Sequence, residues 1–348
     1  QTVKLWDRPP LVPSHEEVYG VAVSPDGSVV ASSGRPSSVR LWTPDLDPLP
    51  GAQPFTGHPM VTGRIVSTPD GDVVSYGPAG LLASDQTGAG AGRLAPATGM
   101  GRGLAVSADG ALYGTVSLEG LVTVSTRDGR NVWSEQLEAP ADAIAIGPET
   151  DDGRLVAVGD DEGFVQLWSL DGDMVAEIDQ HSDGVYSLAF SRDGARLISS
   201  ARDRMIMIHD LSGPAIGADS ATQVIAGHED VVSTARFFLD ERFIVSASED
   251  GTVRIWQADG SPVGDPLAEH GDWVLWLATD ETNKRLYTAG KDGILRRWDL
   301  AHLDDTPADL LRRACAFLTR HAITQENDTA IGGLSAKKAL AVCGADKP

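Results

Sequence analysis

A unit of three short predicted strands recurs along this chain, and its cleanest copy spans residues 226–257. After a Gly-His turn come an apolar run at 232–238 and a β-rich run at 242–246. An Asp-Gly turn then leads into a third run at 252–256, as expected of a tight hairpin. A sheet of such strands has apolar residues on both faces and cannot stay alone in water. Its copies must therefore stack against one another in a ring.

Seven copies of the unit can be counted by aligning the last residue of each third strand. These residues are Trp42, Asp85, Ser125, Trp168, His209, Trp256 and Trp298. Their spacing of about 40–47 residues leaves room for a fourth strand in each copy. The chain is therefore predicted to be all-β: a seven-bladed β-propeller of four-stranded antiparallel blades over residues 1–300.

The seventh copy lacks a fourth strand of its own. We expect residues 2–12 to supply that strand and so to close the ring on the last blade. Residues 3–7 (VKLWD) can also be interpreted as the end of an upstream repeat. Both interpretations of this segment stay open.

The residue pattern of these units resembles the WD repeat of β-propeller proteins. In that family a turn His, a second-strand Ser or Thr, a hairpin Asp and a third-strand Trp form a hydrogen-bonded tetrad. The resemblance assigns two full sets and one partial set of residues to such tetrads. They are His228, Ser246, Asp250 and Trp256; His270, Thr288, Asp292 and Trp298; and His181, Ser199 and Asp203, with His209 in place of the Trp. An unpaired buried member would cost about 1–3 kcal/mol, so each tetrad specifies its blade.

Charge and cysteine content narrow the partners and the compartment. Lys and Arg number 28 against 50 Asp and Glu, a formal net charge of −22, which opposes nucleic acid and anionic membranes as partners. No apolar run approaches the roughly 20 residues of a membrane-spanning helix. Cys315 and Cys343 lie outside the repeats and form either a disulfide or two separate thiols. Because the propeller uses no disulfide, a reducing, cytoplasmic location is favoured.

Enzyme-like motifs in this chain have structural explanations. His228, Ser246 and Asp250 suggest a hydrolase triad, but the same residue types recur at 270, 288 and 292, whereas an active site would occur once. His181 and His209 lack the paired His/Cys spacing of a metal site. We therefore expect no catalytic residue, no metal and no cofactor.

By the same resemblance, propellers of this family hold peptides or partner domains on the face where the blade-entry loops converge. The matching positions are Trp273, Trp276, Tyr186, Tyr19 and Val231. Exposed Trp and Tyr side chains dominate interface hot spots, although Trp276 and Tyr186 can equally pack between blades. Basic residues that could receive an acidic peptide are Arg202, Arg204, Lys291, Arg296 and Arg297.

After Pro307 the apolar spacing becomes helical, and residues 306–348 are predicted to form a short helical tail packed on the propeller. The stretch LLRRACAFLTRHAIT resembles the Cys-containing tails that follow WD domains in bacterial signalling proteins. That resemblance implies the C-terminal recognition or regulatory domain of a larger bacterial signalling or defence protein, such as a STAND ATPase, kinase or protease fusion.

The function expected is a non-catalytic protein-interaction or ligand-sensing platform. Its partner would be a protein or peptide, or upstream domains of the same polypeptide. Two alternatives belong to other classes. A propeller hydrolase or oxidoreductase would need a unique polar cluster in the central channel, and a scaffold for self-assembly would need a large apolar patch or an open edge strand.

Overall fold

The computed structural model describes residues 11–13, 15–54, 58, 64–88, 92–95, 100–212 and 222–305. Short strands alternate with tight turns throughout these ranges, beginning with β1 (Leu11–Pro13). The first three blades contain β2 (Glu17–Val23), β3 (Val30–Arg35) and β4 (Ser38–Trp42); β5 (Arg64–Ser67), β6 (Val73–Gly77), β7 (Gly80–Ser84) and β8 (Gly92–Ala95); and β9 (Gly101–Val106), β10 (Leu112–Ser117), β11 (Leu121–Thr126) and β12 (Asn131–Gln136).

The remaining four blades repeat this order. They contain β13 (Ala141–Ile146), β14 (Leu155–Asp160), β15 (Phe164–Ser169) and β16 (Met174–Asp179); β17 (Val185–Phe190), β18 (Arg196–Ala201), β19 (Met205–Asp210) and β20 (Thr222–Ala226); β21 (Val232–Phe238), β22 (Phe243–Ser248) and β23 (Val253–Gln257); and β24 (Val274–Asp280), β25 (Arg285–Gly290) and β26 (Ile294–Asp299). The paired strands run antiparallel in every register that the described residues define.

The first strand of each blade lies innermost. These seven strands contact one another in sequence, from β2 through β5, β9, β13, β17, β21 and β24 and back to β2. The ring confirms the predicted seven-bladed β-propeller of antiparallel blades. Blades 1 and 6 have three paired strands, and their outer segments attach through isolated bridges such as Trp42–Pro48 and Val253–Leu267. The predicted fourth strands of blades 1 and 6 are therefore reduced to such bridges.

A repeated turn explains why inner and second strands reverse so tightly. In the Ser-x-Asp-Gly turn of blade 1, Ser24 Oγ donates to Asp26 Oδ1 over 2.6 Å, and Gly27 adopts a φ of +70°. Blade 5 repeats the bond between Ser191 and Asp193 at 2.6 Å. Glycine takes such a positive φ with the least strain, so the motif fixes where the inner strand ends in the blades that carry it.

The core lies between blades rather than inside any one of them. Each blade presents an alternating apolar face to the next, as in the cluster of blades 3 and 4, where Trp133 and Trp168 stack with ring centroids 5.6 Å apart. Val116 and Val156 in that cluster are fully buried. Because each blade covers its neighbours, the ring supplies the stacking partners that an isolated sheet lacks.

The chain divides into two compact units, Pro10–Arg297 and residues 1–9 with Trp298–Pro348. In the first, Leu11–Pro13 pairs with Ile294–Arg296 as the fourth strand of the last blade. Residues 2–10 of the predicted closing segment lie outside the described residues, as do the predicted helical tail, Cys315 and Cys343. In the second, Ala301–Asp304 forms one 3-10 turn. None of the described segments is a helix long and apolar enough to span a bilayer.

Candidate functional site

The sixth blade holds a complete four-residue hydrogen-bonded set. His228 Nδ1 donates to Asp250 Oδ2 over 2.8 Å, Ser246 Oγ donates to His228 Nε2 over 2.8 Å, and Trp256 Nε1 donates to Ser246 Oγ over 2.9 Å. Asp250 also accepts from the Glu229 N–H. Burial alone would raise the pKa of Asp250, but these hydrogen bonds and those from Thr252 outweigh it and hold the pKa well below its usual value.

The fifth blade makes the same chain of bonds with a histidine in the Trp position. His181 Nδ1 lies 2.9 Å from Asp203 Oδ2, and Ser199 Oγ lies 2.7 Å from His181 Nε2 and 2.8 Å from His209 Nε2. If Ser199 donates to His181, it must accept from His209, so His209 is a neutral Nε2–H tautomer that replaces the indole N–H. Burial and nearby His181 lower the pKa of His209 to about 4, which keeps it neutral.

The seventh blade contains an additional cation that the sequence reasoning did not place there. His270 Nε2 lies 2.8 Å from Thr288 Oγ1, and His270 Nδ1 lies 3.1 Å from Asp292 Oδ2. Arg296 Nη1 lies 2.8 Å from the same carboxylate oxygen and 2.6 Å from His270 Nδ1. Arg296 is only 4% exposed, so the predicted surface role for this residue is wrong. Trp298 is buried as well.

Blades 1 and 2 keep parts of the set. Trp42 Nε1 donates to Ser32 Oγ over 2.9 Å, and His15 Nε2 lies 3.2 Å from the same oxygen. Pro36 stands where blades 5, 6 and 7 have the Asp, and His15 Nδ1 has no hydrogen-bond partner among the described residues. Burial and the charge of Arg40 lower the pKa of His15 to about 4. In blade 2, His58 Nε2 lies 3.1 Å from Ser75 Oγ.

The five residues predicted to form a partner-binding face differ in exposure. Trp273 is 39% exposed and directly precedes β24, with Lys291 Nζ 3.7 Å from its ring centroid. Tyr186, Tyr19 and Val231 are half-buried at or beside the starts of inner strands. Because all inner strands run in the same sense around the ring, these starts share one face. The binding role of all five residues stays a prediction.

Trp276, the fifth predicted face residue, lies deeper and lines the channel. It packs against the cluster of blades 7 and 1, and two guanidinium carbons approach its ring centroid, Arg64 at 3.9 Å and Arg236 at 5.2 Å. Arg64 belongs to blade 2 and Trp276 to blade 7, with blade 1 between them. Such a contact can form only across the centre of the ring.

Ion pairs continue this cluster toward blades 3, 4 and 5. Arg102 Nη1 lies 3.1 Å from Asp142 Oδ1, and Arg202 Nη2 lies 3.3 Å from Asp161 Oδ1 and 3.7 Å from Asp142 Oδ2. The Arg202 guanidinium also stacks 5.0 Å from the ring of Tyr186. The sequence indicated Trp276, Tyr186 and Arg202 singly as candidate binding residues, but it did not predict that they belong to one cluster. A charged residue interrupting an apolar inner strand, as Arg236 does, was the available signal.

No metal-binding constellation accompanies these residues. Within the described ranges, no three His, Cys, Asp or Glu side chains come together as a metal site would require. Each His–Asp pair described above is part of a blade set with a Ser or Thr as its third member. The arrangement can therefore hold hydrogen bonds and charges in fixed positions.

The fold and these recurring sets define a repeat propeller. The WD40 family model (WD domain, G-beta repeat) matches residues 11–43, 172–210, 220–257 and 260–299. WD repeat-containing protein 55 of Mus musculus is 28% identical over 165 residues, which cover 46% of this chain and 40% of that protein. The family-model matches fall on blades 1, 5, 6 and 7 and together cover less than half of the chain.

Two further relatives have different names. Autophagy-related protein 16 of Arabidopsis thaliana is 27% identical over 150 residues, covering 42% of this chain and 29% of that protein. The probable cytosolic iron-sulfur protein assembly protein CIAO1 homolog of Caenorhabditis elegans is 30% identical over 116 residues, covering 31% of this chain and 34% of that protein. The chain thus spans less than half the length of each of these three relatives. All three are eukaryotic, so the bacterial context stays a prediction.

Proposed function

We propose that this propeller is a non-catalytic protein-interaction platform that holds a protein or peptide on the face where its inner strands begin. The observation that carries the proposal is the exposed ring of Trp273 beside Lys291 in blade 7. Tyr186 lies near the start of the inner strand of blade 5, two blades away. Exposed, rigid aromatic side chains are frequent anchors of protein interfaces. WD40 propellers are generally interaction platforms, which supports the same interpretation.

The proposal includes a cellular context. The partner would be a separate protein or an upstream domain of a bacterial signalling or defence protein, and the location would be cytoplasmic. This part depends on the resemblance of the segment after Pro307 to helical tails of such proteins. The net charge of −22 supports a protein partner over nucleic acid or an anionic membrane.

Affinity capture from a lysate of the organism that encodes the chain tests this proposal. A variant carrying Trp273→Ala and Tyr186→Ala is compared with wild type and with a matched variant carrying Met174→Ala and Val224→Ala. Met174 and Val224 are also exposed, at 53% and 56%, but lie on outer strands. We expect the same protein to be captured by wild type and by the outer-strand variant and lost from the first variant. Equal capture by all three would refute the assignment of this face.

A further inference from the structure

Two arginines from different blades meet on one tryptophan in the channel. Arg64 begins β5, Arg236 lies within β21, and Trp276 lies within β24. Their guanidinium carbons lie 3.9 and 5.2 Å from the Trp276 ring centroid. The distance between the two guanidinium carbons is therefore at most the sum of these two distances. Unlike the tetrads, this grouping occurs once around the described part of the ring. A feature that is not repeated is not needed to build a blade.

The charges around this pair do not balance. The carboxylates that continue the cluster are already paired, Asp142 with Arg102 and Arg202, and Asp161 with Arg202. Neither Arg64 nor Arg236 forms an ion pair with any described residue. Asp142 acts on the charge of Arg64 from a distance, but it already serves two other arginines. The pair therefore contributes an excess of positive charge inside a chain that is acidic overall.

The protonation behaviour of the two arginines agrees with this imbalance. Burial lowers the pKa of Arg64 to about 10, and burial together with the charge of Arg64 lowers the pKa of Arg236 to about 10. Both side chains remain protonated at neutral pH. An added negative charge would relieve their mutual repulsion.

Several N–H donors of the pair are unused. Arg64 Nε donates to the Arg102 carbonyl over 3.1 Å, and its two terminal nitrogens bond to no described residue. Arg236 Nη1 donates to Ser187 Oγ over 2.6 Å and to the Leu188 carbonyl over 3.3 Å, which fixes the guanidinium and leaves Nη2 free. None of these nitrogens is among the fully buried atoms that lack a partner, so each keeps some accessible surface. Fixed, planar, unused donors suit carboxylate and phosphate oxygens.

The channel next to Arg236 has room for more than a single anionic group. A cavity of about 340 Å³ extends from Arg236 along the inner strands of blades 2 to 6. The accessible surface of its wall is about equally polar and apolar, and the apolar part includes Val66, Val106, Ile146 and Phe190. Its volume is at the lower end of the range of small-molecule sites. An anion with a short apolar body therefore matches both the charge and the lining.

We propose that Arg64 and Arg236, held against Trp276, form a site in the central channel for a carboxylate or phosphate group. The group belongs either to a free organic anion with a short apolar body or to an acidic side chain of a docked peptide. The site does not depend on the protein-interaction proposal, because a free anion would occupy it without a partner. Its failure and the failure of that proposal are therefore distinguishable.

Isothermal titration calorimetry of the full chain tests this site with three probes: inorganic phosphate, octanoate and a hexaglutamate peptide. The variants are Arg64→Met, Arg236→Met and, as a matched control, Arg127→Met, which removes an exposed arginine paired with Asp70 and Asp72. We expect at least one probe to bind wild type and the control equally, and its affinity to fall about tenfold or more in each channel variant. Binding of phosphate or octanoate indicates a free anion; binding of the peptide alone indicates an acidic partner segment.

Two results would overturn the site. One is that no probe binds wild type. The other is that a probe binds all variants with equal affinity, which would indicate a general effect of anions on the protein. If a channel variant fails to fold, the calorimetric comparison is replaced by ¹⁵N NMR of wild type, in which the arginine Nε–H signals are followed. The signals of Arg64 and Arg236 must then shift on titration while that of Arg127 does not.

Discussion

Replacing Asp250 by alanine removes the carboxylate that joins two parts of blade 6. One oxygen accepts from His228 Nδ1 over 2.8 Å and from the Glu229 N–H over 3.0 Å. The other accepts from the Thr252 N–H over 2.8 Å and from Thr252 Oγ1 over 2.6 Å. The side chain thus ties the turn before β21 to the hairpin before β23.

The expected loss follows from which donors can find water instead. His228 is buried, so its Nδ1–H is left unpaired in the variant at a cost of about 1–3 kcal/mol. Glu229 is exposed and Thr252 half-buried, so their donors become hydrated and each lost bond costs about 0.5–1 kcal/mol. We expect the free energy of unfolding to fall by about 3 kcal/mol in total.

The pH dependence of this loss has a definite sign. The folded-state pKa of Asp250 is held below the unfolded value, so its contribution to stability is fully present above the unfolded pKa. This contribution is lost as the pH falls through the folded-state pKa, because Asp250 then becomes protonated in folded wild type. The difference between wild type and Asp250→Ala should therefore be constant near neutral pH and shrink below about pH 4.

Urea unfolding monitored by tryptophan fluorescence at pH 7 and pH 3 measures both effects. Asp259→Ala is the matched control, because Asp259 is an exposed turn carboxylate that bonds to Ser261 alone among the described residues. The control should unfold much closer to wild type than Asp250→Ala does. Equal midpoints for Asp250→Ala and Asp259→Ala at pH 7 would refute the view that the tetrad stabilises its blade.

Three further predictions follow from the described contacts. The His209→Gln variant keeps an N–H donor but does not titrate. Because the pKa of His209 is depressed in the folded state, wild type loses about 3 kcal/mol of stability as the pH falls from 6.5 toward 4. The stability of the variant should therefore vary less with pH, and an unchanged pH slope would contradict this. Arg64→Met should not lower the urea midpoint, because it replaces a desolvated cation that repels Arg236. If the free energy of unfolding fell by more than about 1.5 kcal/mol, Arg64 would instead have a structural role. Trp168→Ala should lower the free energy of unfolding by about 3–5 kcal/mol by opening the interface with blade 3, and a loss below about 1 kcal/mol in the same assay would contradict that packing.

The number of blades could be predicted from the sequence because it depends on local signals. Turn residues and alternating apolar positions recur at a fixed period, and each copy reports on itself. The outer segments of blades 1 and 6 are the exceptions. Residues 263–267 have the composition of a strand, yet they make only isolated bridges, since pairing along an outer edge depends on how the chain leaves β23.

The channel cluster could not be predicted in this way. Arg64, Arg236 and Trp276 come from three separate copies, and closure of the ring brings them together. Arg236 stands out locally as a charge within an apolar inner strand, and Trp276 as an aromatic residue near a strand start, but neither position indicates which residues it meets. Similarly, Arg296 looked like a surface cation, because its burial beside Asp292 depends on how the neighbouring strands cover it. Contacts that depend on the whole ring carry no local signal.

Site-specific photo-cross-linking is the most direct test of the proposed interaction face. A benzophenone amino acid replaces Trp273 in one sample and Met174, which is exposed on an outer strand, in another, and both are irradiated in lysate of the organism that encodes the chain. We expect a discrete protein adduct from position 273 that is absent from position 174. Adducts from position 174 alone, or the same adducts from both positions, would contradict it.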